Sequence, residues 1–307
     1  MSELDNRLSS NTEILATSAS VLNELEMAGK KRLFSKRAID AILGLSVRAI
    51  IAATAVFLLL PVIVTILMAF DARDYIGPFP PTELSAMWFG RLLDSEYLWA
   101  GLKTSLLLAI ATTAVATVIG AMAALAISRM SRRWRDLVAT LFLSPLVLPG
   151  VIIGFGLLMF LSTFSPLPVF PTLLAGHLIV TTPYTIRMTL VGLSGISETL
   201  CEAALALGAN ERQAFFTITL PLAKNSIAAG AIFAFAFSMD DLTISLFLSD
   251  FKTYTLPVAL INQIRSQFDL TIAAAAVALM GLSIVLLILI DRVLGIERAI
   301  GHGIYRG

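Results

Sequence analysis

The chain has 307 residues, of which 57% are hydrophobic and 14% charged, with a formal net charge of +1. That balance excludes a soluble globular domain and leaves no basic surface of the kind nucleic acid needs. The polar residues cluster between apolar blocks of about 20 residues, the length that crosses ~30 Å of hydrocarbon, so the sequence reads as a polytopic membrane protein.

In chain order, residues 1–46 are polar and then basic, and are expected to form a cytosolic extension that is at most partly helical. A first apolar block, 47–69, is too long for a signal-peptide core and is followed by Asp71-Ala72-Arg73-Asp74-Tyr75 rather than a small-residue cleavage site, so it is expected to be retained. Five further blocks follow at 102–127, 137–161, 170–192, 225–248 and 271–294. All six should be helical, because lipid cannot satisfy an open backbone. The membrane-spanning body is thus 47–294, and 295–307 is expected to be a short cytosolic tail. Pro61, Pro145, Pro149 and Pro183 are expected to kink their helices, and Gly120, Gly150, Gly154 and Gly156 to allow close helix approach. A lone Cys201 excludes an intramolecular disulfide and a multi-cysteine metal site.

Orientation follows from Lys and Arg, which accumulate in cytoplasmic loops. Lys30, Lys31, Arg32, Lys36, Arg37 and Arg48 precede or open the first span, and Arg129, Arg132, Arg133 and Arg135 lie between the second and third. The loop 70–101 has only Arg73 and Arg91 against Asp71, Asp74, Glu83, Asp94 and Glu96, and 162–169 has no charge. The expectation is both termini inside, which puts the loop between spans four and five, about 195–224, in the cytosol.

That loop carries its own folding signals. Ala203, Ala204 and Leu205 favour a helix that Gly208 is placed to end in a left-handed conformation. Asn210 then caps a second short helix, with Gln213 positioned to complete a capping box, and Pro221 suits the first turn of the fifth span. The pattern is helix, sharp turn, helix and return to the membrane.

The spacing Glu202-Ala203-Ala204, Gly208, Ile218, Leu220-Pro221 resembles the EAA loop of the inner-membrane permease subunits of binding-protein-dependent ABC importers. The resemblance covers roughly 95–294. It implies an all-α, six-span permease of the type I importer fold, whose coupling loop docks on an ATPase subunit and transmits its closure to the membrane helices. Carried over, Glu202 makes the polar contact with the ATPase, Ala203 and Ala204 pack there, and Gly208 sets the turn; Ile218, Leu220 and Pro221 complete the coupling motif. The partners implied are two ATP-binding subunits, a second and different permease, and an extracytoplasmic solute-binding protein, with the acidic loop 70–101 as part of its landing surface.

A second polar stretch, Ser238-Met239-Asp240-Asp241, lies inside an apolar block. If the fifth span begins near Asn225, Asp240 lies about 24 Å from its inner end, at or within the outer edge of the hydrocarbon. Carboxylates there mark a pathway or a partner. Successive helical residues point about 100° apart, so one aspartate is expected to face the path while the other anchors backbone or a neighbouring helix. With Thr255-Leu256-Pro257 downstream, the run is similar to the spermidine/putrescine branch of the permease family, second-permease type, which implies Ser238, Asp240 and Asp241 in the passage of a polyamine or related cationic amino compound. His177 is expected to be a helix-packing hydrogen bonder, and Arg187 to snorkel or brace the coupling loop.

No G-x-x-x-x-G-K-[S/T] phosphate loop, HExxH or GxSxG occurs, so the chain is not expected to bind ATP or a cofactor, to hold a metal, or to catalyse hydrolysis. ATP would act on a partner subunit. The alternative is an ion-coupled secondary transporter using Asp240 or Asp241 as coupling carboxylate, which explains the acids but leaves the EAA loop without a role.

Overall fold

The computed structural model describes residues 2–163, 167–266 and 268–294. It divides into two compact units, residues 1–64 and 65–307. The tail expected at 295–307 lies outside the described residues.

The first unit is a helix. α1 runs without interruption over Ser2–Ala69, so the amino-terminal stretch is fully helical rather than at most partly so. The physical reason is local: residues 2–46 hold no proline and only Gly29 and Gly44, amid Ala, Leu, Glu, Lys and Arg that propagate a helix readily. Ile50, Phe57 and Leu58 are exposed, the condition of a span that meets lipid on its faces.

The second unit opens with the last turn of α1. Met68 and Ala69 pack with Trp88 of α2 (Met87–Asp94). The connecting loop is ordered by its own bonds. Ala72 and Ser85 amides donate to the Glu83 and Phe70 carbonyls, and the Trp88 indole donates to the Asp71 carbonyl at 2.8 Å. The Arg73 guanidinium grips the Asp71 carboxylate and holds its pKa below the usual carboxylate value. α3 spans Glu96–Ser128, with the Ser95 hydroxyl oxygen accepting from the Leu98 amide at its start.

The expected third span, 137–161, is two helices, α4 (Arg132–Leu143) and α5 (Gly150–Ser162), joined through a 3₁₀ turn at Ser144–Val147 and bent by 97°. Pro145 and Pro149 cause the break: each lacks an amide donor, and Leu148 before Pro149 is held extended at ψ 135°. α6 (Val169–Ser194) is the fourth span, with Pro183 inside it. The short helices α7 (Glu198–Ala206) and α8 (Glu211–Ala214) precede α9 (Leu220–Asp240), to which α8 is joined by a π-helical turn at Phe215–Thr219. The expected fifth span, 225–248, is therefore corrected at both ends. It begins earlier, because the π turn carries the helix through Pro221, and it stops at Asp240. α10 (Thr243–Leu248) is separate, as is α11 (Leu256–Ser266), and α12 (Thr271–Leu294) closes the bundle. Among the described residues, five helices are long and apolar enough to cross a membrane, and the α4–α5 pair makes six if it counts as one span.

The bundle core mixes large side chains such as Leu108, Leu173, Phe235 and Met239 with a stripe of small ones. On α3 that stripe is Ser105, Ala109, Thr112, Ala116, Gly120 and Ala124, three or four residues apart, while Leu107, Ile110, Val118 and Met122 are exposed. α9 repeats this with Ala228, Gly230 and Ala234 inside and Leu222 and Phe233 outside. Small residues let helix backbones approach where lipid removes the incentive to bury large ones. The three central helices meet at Thr185 of α6: its hydroxyl donates to the Ala116 carbonyl of α3 at 2.9 Å, directly over Gly120, and Gly230 of α9 abuts its backbone.

Candidate functional site

The site residues expected from the sequence fall at two places: the segment from α7 to the π turn, and the break after α9.

In the first, α7 ends in a Schellman arrangement. The Gly208 amide donates to the Leu205 carbonyl and the Ala209 amide to the Ala204 carbonyl, both at 3.0 Å, and Gly208 has φ +91°. Asn210 and Gln213 form both halves of the capping box, each amide donating to the other's side-chain oxygen at 2.9 Å. The π turn follows from Pro221. Proline cannot donate to the carbonyl four residues back, and its ring crowds that carbonyl, so the chain widens and the Leu220 amide reaches back five residues to Phe215. Of the residues singled out here, Glu202, Ala203 and Pro221 are exposed, and Ala204, Ile218 and Leu220 are half-buried. Leu207, at 90% exposure, stands at the turn beside Gly208. The result is a two-helix segment presenting an acid, small residues and the exposed apolar side chains of Leu200, Leu205, Leu207 and Phe216.

In the second, the adjacent aspartates part company. The Asp241 carboxylate turns inward, and one oxygen accepts from the Ile244 and Ser245 amides at 3.1 and 3.0 Å and from the Ser245 hydroxyl at 3.3 Å. It thereby closes the first turn of α10, whose amides have no partners within the helix. His177 of α6, fully buried, sits against this turn with Nδ1 2.8 Å from the Ser238 hydroxyl and Nε2 3.0 Å from the Ser245 hydroxyl. Ser238 is thus sequestered at 1% exposure rather than lining an open surface.

Asp240 is exposed and opens on a cavity lined by Phe233, Ala236, Phe237, Asp240, Asp241, Leu242 and Thr243, so Asp241 borders the same space from its mostly buried position. Phe233, Phe237 and Asp240 recur at four and three residues, one face of α9. Tyr184 of α6 packs on that face, its ring centroid 5.3 Å from Phe237 and 6.4 Å from Phe233. His177 lies eight residues inside the Val169 end of α6, so the aspartates sit about 12 Å into that span.

The sequence reading brought Ser238, Asp240 and Asp241 together but missed Tyr184, Phe233 and Phe237. The signal for the two phenylalanines was available as the one-face spacing ahead of Asp240; nothing local pointed to Tyr184. Arg187 is exposed on α6.

A family model described as "Binding-protein-dependent transport system inner membrane component" matches residues 116–295. The putrescine transport system permease protein PotI of Escherichia coli K12 is 28% identical over 232 residues, covering 73% of this chain and 82% of that protein. The spermidine/putrescine transport system permease protein PotC of the same organism is 26% identical over 232 residues, covering 76% and 87%. Among solved structures, a bacterial ABC transporter that imports the acidic polysaccharide alginate superposes with a TM-score of 0.69 at 18% identity, covering 86% of this chain and 98% of that one.

Proposed function

The chain belongs to the family of inner-membrane components of binding-protein-dependent transport systems, and from that premise we propose that it carries a polyamine or a related small organic cation inward. As a multi-pass permease subunit of an ABC importer it leaves ATP hydrolysis to separate subunits, and an extracytoplasmic binding protein delivers the substrate. The secondary-transporter alternative gives no work to the α7–α8 segment.

The observation that carries the substrate reading is Asp240. An exposed carboxylate at the end of α9, beside Phe233 and Phe237 on a face that Tyr184 also lines, suits an alkyl-ammonium group. The carboxylate offsets the charge while aromatic faces take the ammonium and the methylene chain. An anionic substrate would meet repulsion at the same place. The polyamine transporters named above support the reading as relatives.

The coupling assignment extends this proposal. Glu202, Ala203, Ala204 and Gly208 dock on an ATP-binding subunit, and Ile218, Leu220 and Pro221 pass its movement through the π turn into α9. Two ATP-binding subunits and a second, different permease complete the importer, with both termini of this chain in the cytosol. The acidic loop 70–101 lies on the side that receives the binding protein.

Reconstitution of the importer in liposomes tests the whole. Uptake of putrescine delivered by the binding protein should require ATP and stop with vanadate, and Asp240→Asn should abolish it while basal ATP hydrolysis persists. Uptake by this chain alone on an ion gradient would refute the importer reading, and wild-type uptake by Asp240→Asn would refute the cation reading. In a Cys201→Ser background, cysteines introduced by Ser131→Cys and Asn210→Cys should react with impermeant thiol reagents from the cytosolic side only, and by Ser95→Cys from the outer side only.

A further inference from the structure

One arrangement of hydrogens satisfies every group around His177, whose Nε2 also lies 3.6 Å from the Asp241 carboxylate. The Ser245 hydroxyl has a single hydrogen, which it gives to the Asp241 carboxylate. It must then accept at its oxygen, and the donor 3.0 Å away is His177 Nε2. With its proton on Nε2, neutral imidazole is an acceptor at Nδ1, so the Ser238 hydroxyl 2.8 Å away donates there. The chain of bonds is directional: Ser238 to His177, His177 to Ser245, Ser245 to Asp241. Each polar hydrogen in it has one acceptor, as a buried network requires.

This chain spans the interruption in the fifth span. Ser238 is in the last turn of α9, Ser245 is in α10, and His177 comes from α6. One imidazole therefore ties the two sides of a helix break to a third helix. Asp240 lies between the tied residues, and its direction depends on where the helix stops. Were α9 to run on past Asp241 as a regular helix, the Asp241 carboxylate would leave the α10 amides and the register of the break would be lost. We propose that His177 is a positioning residue for translocation: it pins the α9–α10 break and so aims the Asp240 carboxylate into the cavity. The proposal rests on the reading of Asp240 given above. His177 itself is walled off and touches no substrate.

The test uses the reconstituted importer with Cys201→Ser as background. First, Asp240→Cys is labelled with a small cationic methanethiosulfonate reagent, alone and combined with His177→Ala. If His177 aims this position, its loss should slow labelling by about tenfold, the scale expected for residues coupled through a backbone shift. An unchanged rate overturns the proposal. Second, with Asp240 native, the amount of putrescine moved per ATP hydrolysed is measured in His177→Ala and His177→Gln. The glutamine amide has one acceptor and one donor to replace Nδ1 and Nε2, so His177→Gln should recover most of the coupling that His177→Ala loses. Equal falls in yield and maximal rate for both variants, with the ratio of uptake to ATP untouched, mean that His177 only supports the fold and overturn the proposal. If His177→Ala does not assemble, Ser245→Ala, which removes the same link from the other side, takes its place in both measurements. The labelling arm needs no transport, so failure of the cation reading leaves it standing.

Discussion

Between Leu143 and Gly150 the third span is interrupted by Pro145 and Pro149, and the chain turns through 97° without any buried side chain to hold the turn. After Asp240 the fifth span is interrupted with no proline or glycine nearby, and the turn is held by a buried carboxylate and an imidazole from another helix. The two interruptions meet. α5 and α10, the short pieces they leave, pack on each other where Gly154 admits Phe247 and Ile244. One break is imposed by covalent geometry and would exist in an isolated segment. The other exists only when tertiary partners are present, and so can be coupled to what happens elsewhere in the bundle.

If the second break depends on its partners, removing the carboxylate should have the largest effect. Asp241→Ala leaves two amides and a hydroxyl without their acceptor, a loss of roughly 3 kcal/mol or more at ~1–3 kcal/mol for each buried donor left unpaired. Little intact complex should survive extraction in detergent and size-exclusion chromatography. Asp241→Asn keeps a side-chain oxygen and should assemble. Asp240→Asn should assemble like wild type, because that side chain is exposed. Equal behaviour of the two aspartates in the alanine series would remove the distinction between anchor and pathway.

Packing of α10 against α6 gives the next effect. A Cβ at Gly176 of α6 would lie 2.7 Å from Ile244 Cγ2 and 2.8 Å from Leu248 Cδ1. Gly176→Val therefore wedges α10 away at a cost of ~1–3 kcal/mol, the usual penalty for overpacking. Thermal unfolding should shift down, and coupling of ATP hydrolysis to uptake should fall. Gly208→Val acts at a distance from both breaks. A β-branched residue at φ +91° costs about 1–2 kcal/mol, with nothing near the glycine to clash. The expected outcome is a complex that still assembles but loses ATPase stimulation by the loaded binding protein. Full stimulation would show that the turn is not part of the coupling surface.

The same contrast explains what could be read from the sequence. Gly208, Asn210 and Gln213 act within a few residues of themselves, so helix, turn and capping box in the α7–α8 segment were legible. Pro145 and Pro149 were legible as breaks, though not the size of the bend, which also depends on what α5 packs against. The end of α9 was not. Thr243–Leu248 is helix-compatible, and the stop rests on Asp241 capping the next turn, a local signal the sequence reading did not use, together with His177, 61 residues before Ser238. The π turn was missed because Pro221 reads equally well as the first turn of a new helix or as a widened turn in a continuous one.

The smallest expected effect sharpens the comparison from the proline side. Pro145→Ala restores one amide donor, but Pro149 still withholds another and still holds Leu148 extended, and α5 remains seated against α10 through Gly154. The substitution should change stability by less than about 1 kcal/mol, its balance set partly by added freedom in the unfolded chain. Spin labels introduced by Arg133→Cys and Met159→Cys in the Cys201→Ser background, both at exposed positions, should report the same separation with and without Pro145→Ala. Lengthening toward that of a straight helix would mean that a single proline sets the bend. Replacing both prolines should lengthen the separation if geometry alone imposes the break, and leave it unchanged if the seat on α10 suffices.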